Sequence, residues 1–230
     1  MEYGYDCRAK GTKTRSSGET KPVGLSVSST SNKLFWTNDY DYPSASKSSW
    51  VSSLPFVGTD PSKKVNATKI LENVIDPQGL DVVDELDSIF FASHLGNAVL
   101  RSFKNGSKLT TVVEKKGDLN FQPADVAVDY SEDLIAVTVE DKQQVNGSLW
   151  TFAMNGSNAK VLKTGLIRNF GLCMDREAKK IYYVQGGNDG SISCVRYNGT
   201  SCEKEKIATG LLWPYMCDVD NAFSRFGGPT

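Results

Sequence analysis

The feature that most constrains this chain is a repeat. The segment Pro22-Val23-Gly24-Leu25-Ser26-Val27 recurs as Pro77-Gln78-Gly79-Leu80-Asp81-Val82, as Pro123-Ala124-Asp125-Val126-Ala127-Val128, as Asn169-Phe170-Gly171-Leu172-Cys173-Met174 and again from Pro214. The starts lie 55, 46, 46 and 45 residues apart, and twelve residues after each stands Leu34, Ile89, Ile135, Ile181 or Phe226. A period of this size marks a solenoid or propeller, where each unit buries its apolar face against its neighbours. Within the period, short β-branched and aromatic runs alternate with turn residues, which is a strand pattern; no long amphipathic helix is written into the chain. In the fourth unit this predicts strands over 171–174, 180–184, 191–197 and 203–208, with a hairpin at Asn198-Gly199, the slot that Asn105-Gly106 and Asn155-Gly156 fill earlier. Four antiparallel strands in about 45 residues, repeated, make an all-β propeller built of four-stranded blades.

The 230 residues and 25.2 kDa suit one such domain. Four complete blades are expected over 22–76, 77–122, 123–168 and 169–213, with partial blades at 1–21 and 214–230. Two closures fit: a fragment of a six-bladed ring, or a five-bladed ring whose last blade the termini share. The fragment is favoured, because a shared blade would hold a truncated second strand with unpaired backbone groups beside it.

The Pro-x-Gly-Leu start, the run Leu34-Phe35-Trp36-Thr37-Asn38 and the Asn-Gly hairpin resemble the low-density lipoprotein receptor class B repeat, the Tyr-Trp-Thr-Asp repeat of six-bladed extracellular propellers. The tetrad is best kept in the first unit; Phe90-Phe91-Ala92-Ser93, Ala136-Val137-Thr138-Val139 and Tyr182-Tyr183-Val184-Gln185 stand in the others. The family's Asp, which ties neighbouring blades, is here Asn38, Ser93, Val139 or Gln185. Gluconolactonase-like and NHL-type propellers share the strand pattern. The resemblance implies a non-enzymatic module that binds a protein ligand and needs no cofactor.

Composition narrows the partners. Lys+Arg 26 against Asp+Glu 27 gives no electrostatic footprint for nucleic acid or anionic lipid. No apolar run approaches the roughly 20 residues of a membrane span, so no membrane insertion is expected. The single histidine, His94, rules out His-rich zinc sites. Gly-x-Ser-x-Gly is absent, and the glycines of 186–190 lie between strands and open no helix, which removes a nucleophile elbow and a phosphate loop. Residues 1–7 lack a secretory pattern. The expected location is therefore extracellular or in the secretory pathway if the chain is a fragment, and cytoplasmic otherwise. Five cysteines are too few and too irregular for a disulfide scaffold and read as small buried hydrophobes. If the chain is secreted, Cys194 and Cys202 are the pair expected to bridge: a three-residue Tyr197-Asn198-Gly199 turn with Gly199 left-handed sets them directly opposite, whereas a two-residue turn sets them one residue out of register on opposite faces.

Propeller ligands usually meet the face formed by the loops between strands two and three and those entering each first strand. Trp50 and Phe56, in the insertion of the first unit, are expected to join His94, Phe121, Arg168, Phe170 and Trp213 in a protein-binding face, since aromatics and Arg anchor interfaces. Wedging between blades is the competing role for Phe121, Phe170 and Trp213. Asn66, Asn105, Asn146, Asn155 and Asn198 lie in Asn-x-Ser/Thr sequons and are candidate glycosylation sites. Asp129, Asp175 and Asp220 recur six residues into their units and read as turn caps. The alternative functions are a gluconolactonase-like hydrolase with a divalent metal on Asp125 and Asn169, where hard oxygen ligands suit such a cation, and an intracellular propeller scaffold.

Overall fold

The computed structural model describes residues 20–40, 49–55, 67–118 and 120–219; Cys7, Phe56, Asn66, Asp220 and most of the two segments expected to be partial blades, 1–21 and 214–230, lie outside them. The described residues form sixteen strands and two short 3₁₀ turns, Asp84–Leu86 and Tyr130–Glu132. The first sheet comprises β1 (Thr20–Ser28), β2 (Lys33–Tyr40), β3 (Ser49–Pro55) and β4 (Thr68–Val74), and the second β5 (Pro77–Val83), β6 (Ser88–Ser93), β7 (Ala98–Phe103) and β8 (Thr110–Glu114). The third holds β9 (Gln122–Asp129), β10 (Leu134–Glu140), β11 (Gly147–Phe152) and β12 (Lys160–Leu166). The fourth holds β13 (Asn169–Asp175), β14 (Lys180–Gln185), β15 (Gly190–Arg196) and β16 (Ser201–Leu211). Each sheet is an antiparallel meander in chain order. The first strands β1, β5, β9 and β13 pack side by side, so every sheet is a blade entered from its innermost strand.

The core sits in the seams between blades. Phe35, Val51 and Leu71 of the first sheet pack with Leu80, Val82 and Phe91 of the second. Val83, Phe90 and Val99 meet Val126, Ile135 and Val137 across the next seam, and Ala127, Ala136 and Leu149 meet Leu172, Met174 and Ile181 across the third. Alternation explains the pattern: residues at the fourth and sixth positions of the second, third and fourth units point back to the preceding blade, and those at the third and fifth positions point forward. The Gly of Pro-x-Gly-Leu is required at that forward position, because a Cβ on Gly24 would lie 2.7 Å from the Gln78 carbonyl oxygen of the next first strand.

Inter-blade ties exist without the family's Asp. Thr37, third in the tetrad, accepts from Gly24 N (2.8 Å) and donates to the Gln78 carbonyl (2.6 Å), and Thr138 donates to the Phe170 carbonyl (3.1 Å). First-strand side chains add ties to the next first strand: Ser26 accepts from Val82 N (3.3 Å) and Asp81 from Val128 N (2.9 Å). Asp129 and Asp175 cap turns, accepting from Ser131 N and Ala178 N.

Reading all five cysteines as buried hydrophobes needs correction. Cys194 is bonded to Cys202 across the turn in which Gly199 has φ +90°, and Cys173 is bonded to Cys217, 44 residues away. The second bridge was invisible because it crosses a seam rather than a hairpin.

Candidate functional site: the loop face

The β2–β3-type turns and the connections into each first strand form one face. Backbone hydrogen bonds lace it: His94 N donates to the Asp76 carbonyl (2.9 Å), Arg168 N to Gln144 (3.2 Å), Gly186 N to Arg168 (2.9 Å) and Trp213 N to Gly187 (2.9 Å). One slot before each unit start, Asp76, Arg168 and Trp213 have φ of 42°, 49° and 49°. That left-handed conformation is uncommon in bulky residues, so the connection is strained at three equivalent points. The residue before it is Ile75, Ile167 or Leu212, at 58%, 53% and 77% exposure. Leu95 and Val145, from the turns between second and third strands, are also exposed.

On this face His94 is clasped between two carboxylates from different chain segments. Its Nδ1 lies 3.1 Å from Asp76 Oδ2, and its Nε2 3.4 Å from Glu140 Oε2 of the third blade. Burial pulls the imidazole pKa down, but the hydrogen bonds and charges of Asp76 and Glu140 outweigh it and raise it to about 9, so His94 is an imidazolium at neutral pH. Asp76 also accepts from Leu95 N (3.2 Å) and Gln78 Nε2 (2.7 Å). Although burial pushes its pKa upward, these bonds and the His94 charge leave it below the usual carboxylate value. The clasp thus fixes the backbone beside both Ile75 and Leu95. His94 and Glu140 occupy the same slot of successive units, so a sequence-level register of that slot would have shown the opposite charges side by side.

The expected ligand residues are distributed as follows. Trp50 is in β3 rather than in a loop, and the Lys69 ammonium sits 3.8 Å from its ring centroid. Phe121 is 1% exposed and meets Trp150 and Phe152 edge-on at 5.8 and 6.3 Å, so it is a seam wedge and offers no exposed contact. Phe170 stacks on Tyr215 at 4.9 Å. The Arg168 guanidinium lies 4.4 Å from the ring of Trp213, whose Nε1 donates to Asn188 (3.1 Å). Arg168, Trp213 and His94 therefore belong to the loop face, and the aliphatic residues around them carried no motif by which to be noticed.

Asn146 is exposed on this face, in the turn after β10. Asn105, Asn155 and Asn198 project from hairpin turns on the opposite face, where each Oδ1 accepts the N–H and hydroxyl of the Ser or Thr two residues on. Asp125 and Asn169 are each hydrogen-bonded to backbone. Asp125 is buried with Oδ1 accepting from Val126 N (2.9 Å) and Oδ2 from Leu172 N of β13 (3.0 Å), so its carboxyl is used as a tie between first strands. Burial pushes its pKa up to about 7. Asn169 donates to the Ser148 carbonyl (3.0 Å). Among the described residues no group of three or more His, Cys, Asp or Glu side chains could hold a metal ion.

No protein-family model matches the chain, and no characterised protein matches it in sequence. Solved structures do. A chain of a nidogen/laminin complex superposes with a TM-score of 0.68 at 18% identity, over 86% of this chain and 68% of that one. TolB from Acinetobacter baumannii gives 0.57 at 12% identity, covering 80% and 44%. The calcium-binding protein regucalcin from Agrobacterium tumefaciens gives 0.56 at 14%, covering 80% and 57%. The chain thus spans about half the length of the last two. These likenesses, with four radial antiparallel sheets in register with the sequence repeat, show a β-propeller.

Proposed function

We propose that this chain is a non-enzymatic, extracellular binding module of low-density lipoprotein receptor-like type that takes a protein ligand on its loop face. The observation that carries the reading is the placement of Ile75, Leu95, Val145, Ile167 and Leu212, all exposed, on the same face as the His94 clasp. Exposed aliphatic residues gathered on a preorganised surface mark a protein interface, because the ordering cost is met before the partner arrives. Two disulfides fit an oxidising compartment. The nidogen/laminin neighbour is itself a protein–protein complex, which agrees with a protein partner. In this reading Asn105, Asn155 and Asn198 carry glycans on the face away from the ligand.

The test uses a photo-crosslinking residue at position 95 on the loop face or at position 130, where exposed Tyr130 marks the opposite face. Both are presented to laminin and to a preparation of extracellular matrix proteins. One partner captured through 95 and not through 130, and lost in Ile75→Asp with unchanged melting temperature, supports the assignment. Equal capture at both positions overturns it.

A further inference from the structure

The fifth position of each repeat unit, counted from its start at 22, 77, 123 or 169, follows a rule that ends in a covalent bond. In the first two units, Ser26 and Asp81 at this position accept a backbone N–H of the next first strand. In the third unit the position is Ala127, and Asp125, two residues earlier, takes over through Leu172 N. In the fourth unit the position is Cys173, and its tie to the fifth unit is the disulfide to Cys217, with Cα atoms 5.7 Å apart. The segment it reaches, 214–219, belongs to none of the sixteen strands. Its placement depends instead on close approach: a Cβ on Gly171 would run into the Tyr215 carbonyl oxygen, and one on Gly190 into the Pro214 ring. The Phe170–Tyr215 stack and the Trp213 N to Gly187 hydrogen bond complete the attachment.

We propose that Cys173–Cys217 is a redox clasp, opened by a dithiol, that seats the start of the fifth unit on the fourth blade. The other seams are held by ladders of packed strands on both sides, so removing one tie leaves them closed. Here the described part of one partner, 214–219, carries no strand pairing, and the clasp is the covalent restraint on it. Cys173 is 7% exposed while Cys217 is only half-buried, which directs attack to the Cys217 sulfur. A thiolate of the dithiol bonds to Cys217 and expels the Cys173 thiolate, which takes a proton. The second thiol of the reagent then displaces Cys217, leaving two protein thiols and the oxidised dithiol, with two electrons transferred. Opening the clasp frees Trp213 from its place beside Arg168, so it reshapes the loop face. That consequence for binding rests on the proposed function, whereas the release itself does not.

Hydrogen–deuterium exchange on the 230-residue chain carrying Cys7→Ser, with and without dithiothreitol and with differential alkylation, reads the release directly. Exchange over 213–219 is expected to rise about tenfold or more on reduction, with the first three blades unchanged. Cys217→Ser is expected to show the same exchange without reductant, and Cys194→Ser with Cys202→Ser to respond to reductant as the parent does. Should Cys217→Ser fail to fold, the reductant titration of the parent chain still decides. Unchanged exchange over 213–219 in the fully alkylated chain overturns the proposal. So does a rise across the whole fourth blade, which would make the bond a general brace, or the finding of free Cys173 and Cys217 thiols before reduction.

Discussion

The first and second seams are built on one plan with opposite chemistry. In both, the residue before the Asn-Gly hairpin of one blade reaches back to the end of the first strand of the preceding blade. In the first seam that residue is Lys104, 7% exposed, whose Nζ lies 2.9 Å from Asp84 Oδ1, 3.1 Å from Asp87, and 3.3 and 3.1 Å from the hydroxyls of Ser28 and Thr30. In the second it is Met154, packed against the cluster that contains Val83. The third seam returns to polarity, with Tyr197 donating to Asp129 (3.0 Å). Each reaching residue matches its own recipient: Lys104 with Ser28, Met154 with Val83, Tyr197 with Asp129. A blade docked on the wrong neighbour would bury a cation or a carboxylate against hydrocarbon, which is strongly unfavourable. The contrast shows how repeats that share one architecture specify the order in which they dock.

Breaking each seam at its centre should expose the difference. Phe121→Ala removes a wholly buried ring from the second seam, and denaturant unfolding should show a loss of about 3–5 kcal/mol. Lys104→Met imports the apolar solution into the polar seam and should cost less, about 1.5–3 kcal/mol, since Asp84 keeps donors from Ser28, Ser29 N and Thr30 N. A loss in Lys104→Met exceeding that in Phe121→Ala would reverse the account of which seam depends more on packing.

The two seams also explain what could be read in advance. The period, the strands and the hairpins were legible because turn chemistry and alternation are local: predicted strands over 171–174 and 180–184 match β13 and β14 to within three residues at either end. Matching across seams is not local. Phe121 stands in the same slot as exposed Ile75 and Ile167, yet the longer connection before β9 turns it inward onto Trp150. Cys173–Cys217 joins positions that only the ring brings together. His94 was legible as a loop-face residue because its slot is fixed by the repeat, but its two acidic partners come from a neighbouring connection and a neighbouring blade.

Acid–base behaviour separates the loop face from the tie between first strands. His94, raised to about 9 in the folded chain, binds its proton more tightly than when unfolded. Its contribution is therefore whole below about pH 6.5 and is lost as pH rises toward 9. Asp125, raised to about 7, also holds a proton longer in the folded state, so stability falls from about pH 4 to 7 and is flat above. Melting temperatures measured against pH should show both declines in the parent chain. Asp125→Asn should abolish only the lower one and His94→Gln only the upper; if His94→Gln flattens the lower decline instead, the clasp is wrongly assigned.

The smallest effect separates two glycines that the sequence makes equivalent. Gly106 and Gly199 both follow the hairpin Asn and have φ of +84° and +90°, so an Ala at either adopts a left-handed backbone at a cost of about 1–2 kcal/mol. Their surroundings differ. A Cβ on Gly106 would run into the carbonyl oxygen of Ile70 in the preceding blade, whereas one on Gly199 lies 3.4 Å from the flexible ends of Leu162 and Lys160. Backbone cannot yield as a side-chain tip can, so Gly106→Ala must also push the first and second blades apart at their outer edge. Gly199→Ala should lose only the conformational term, and Gly106→Ala should exceed it by about 1 kcal/mol, with faster exchange over β4. Equal losses would mean that the Asn-Gly slot serves the hairpin alone, and that the seams are held wholly by the residue that precedes it.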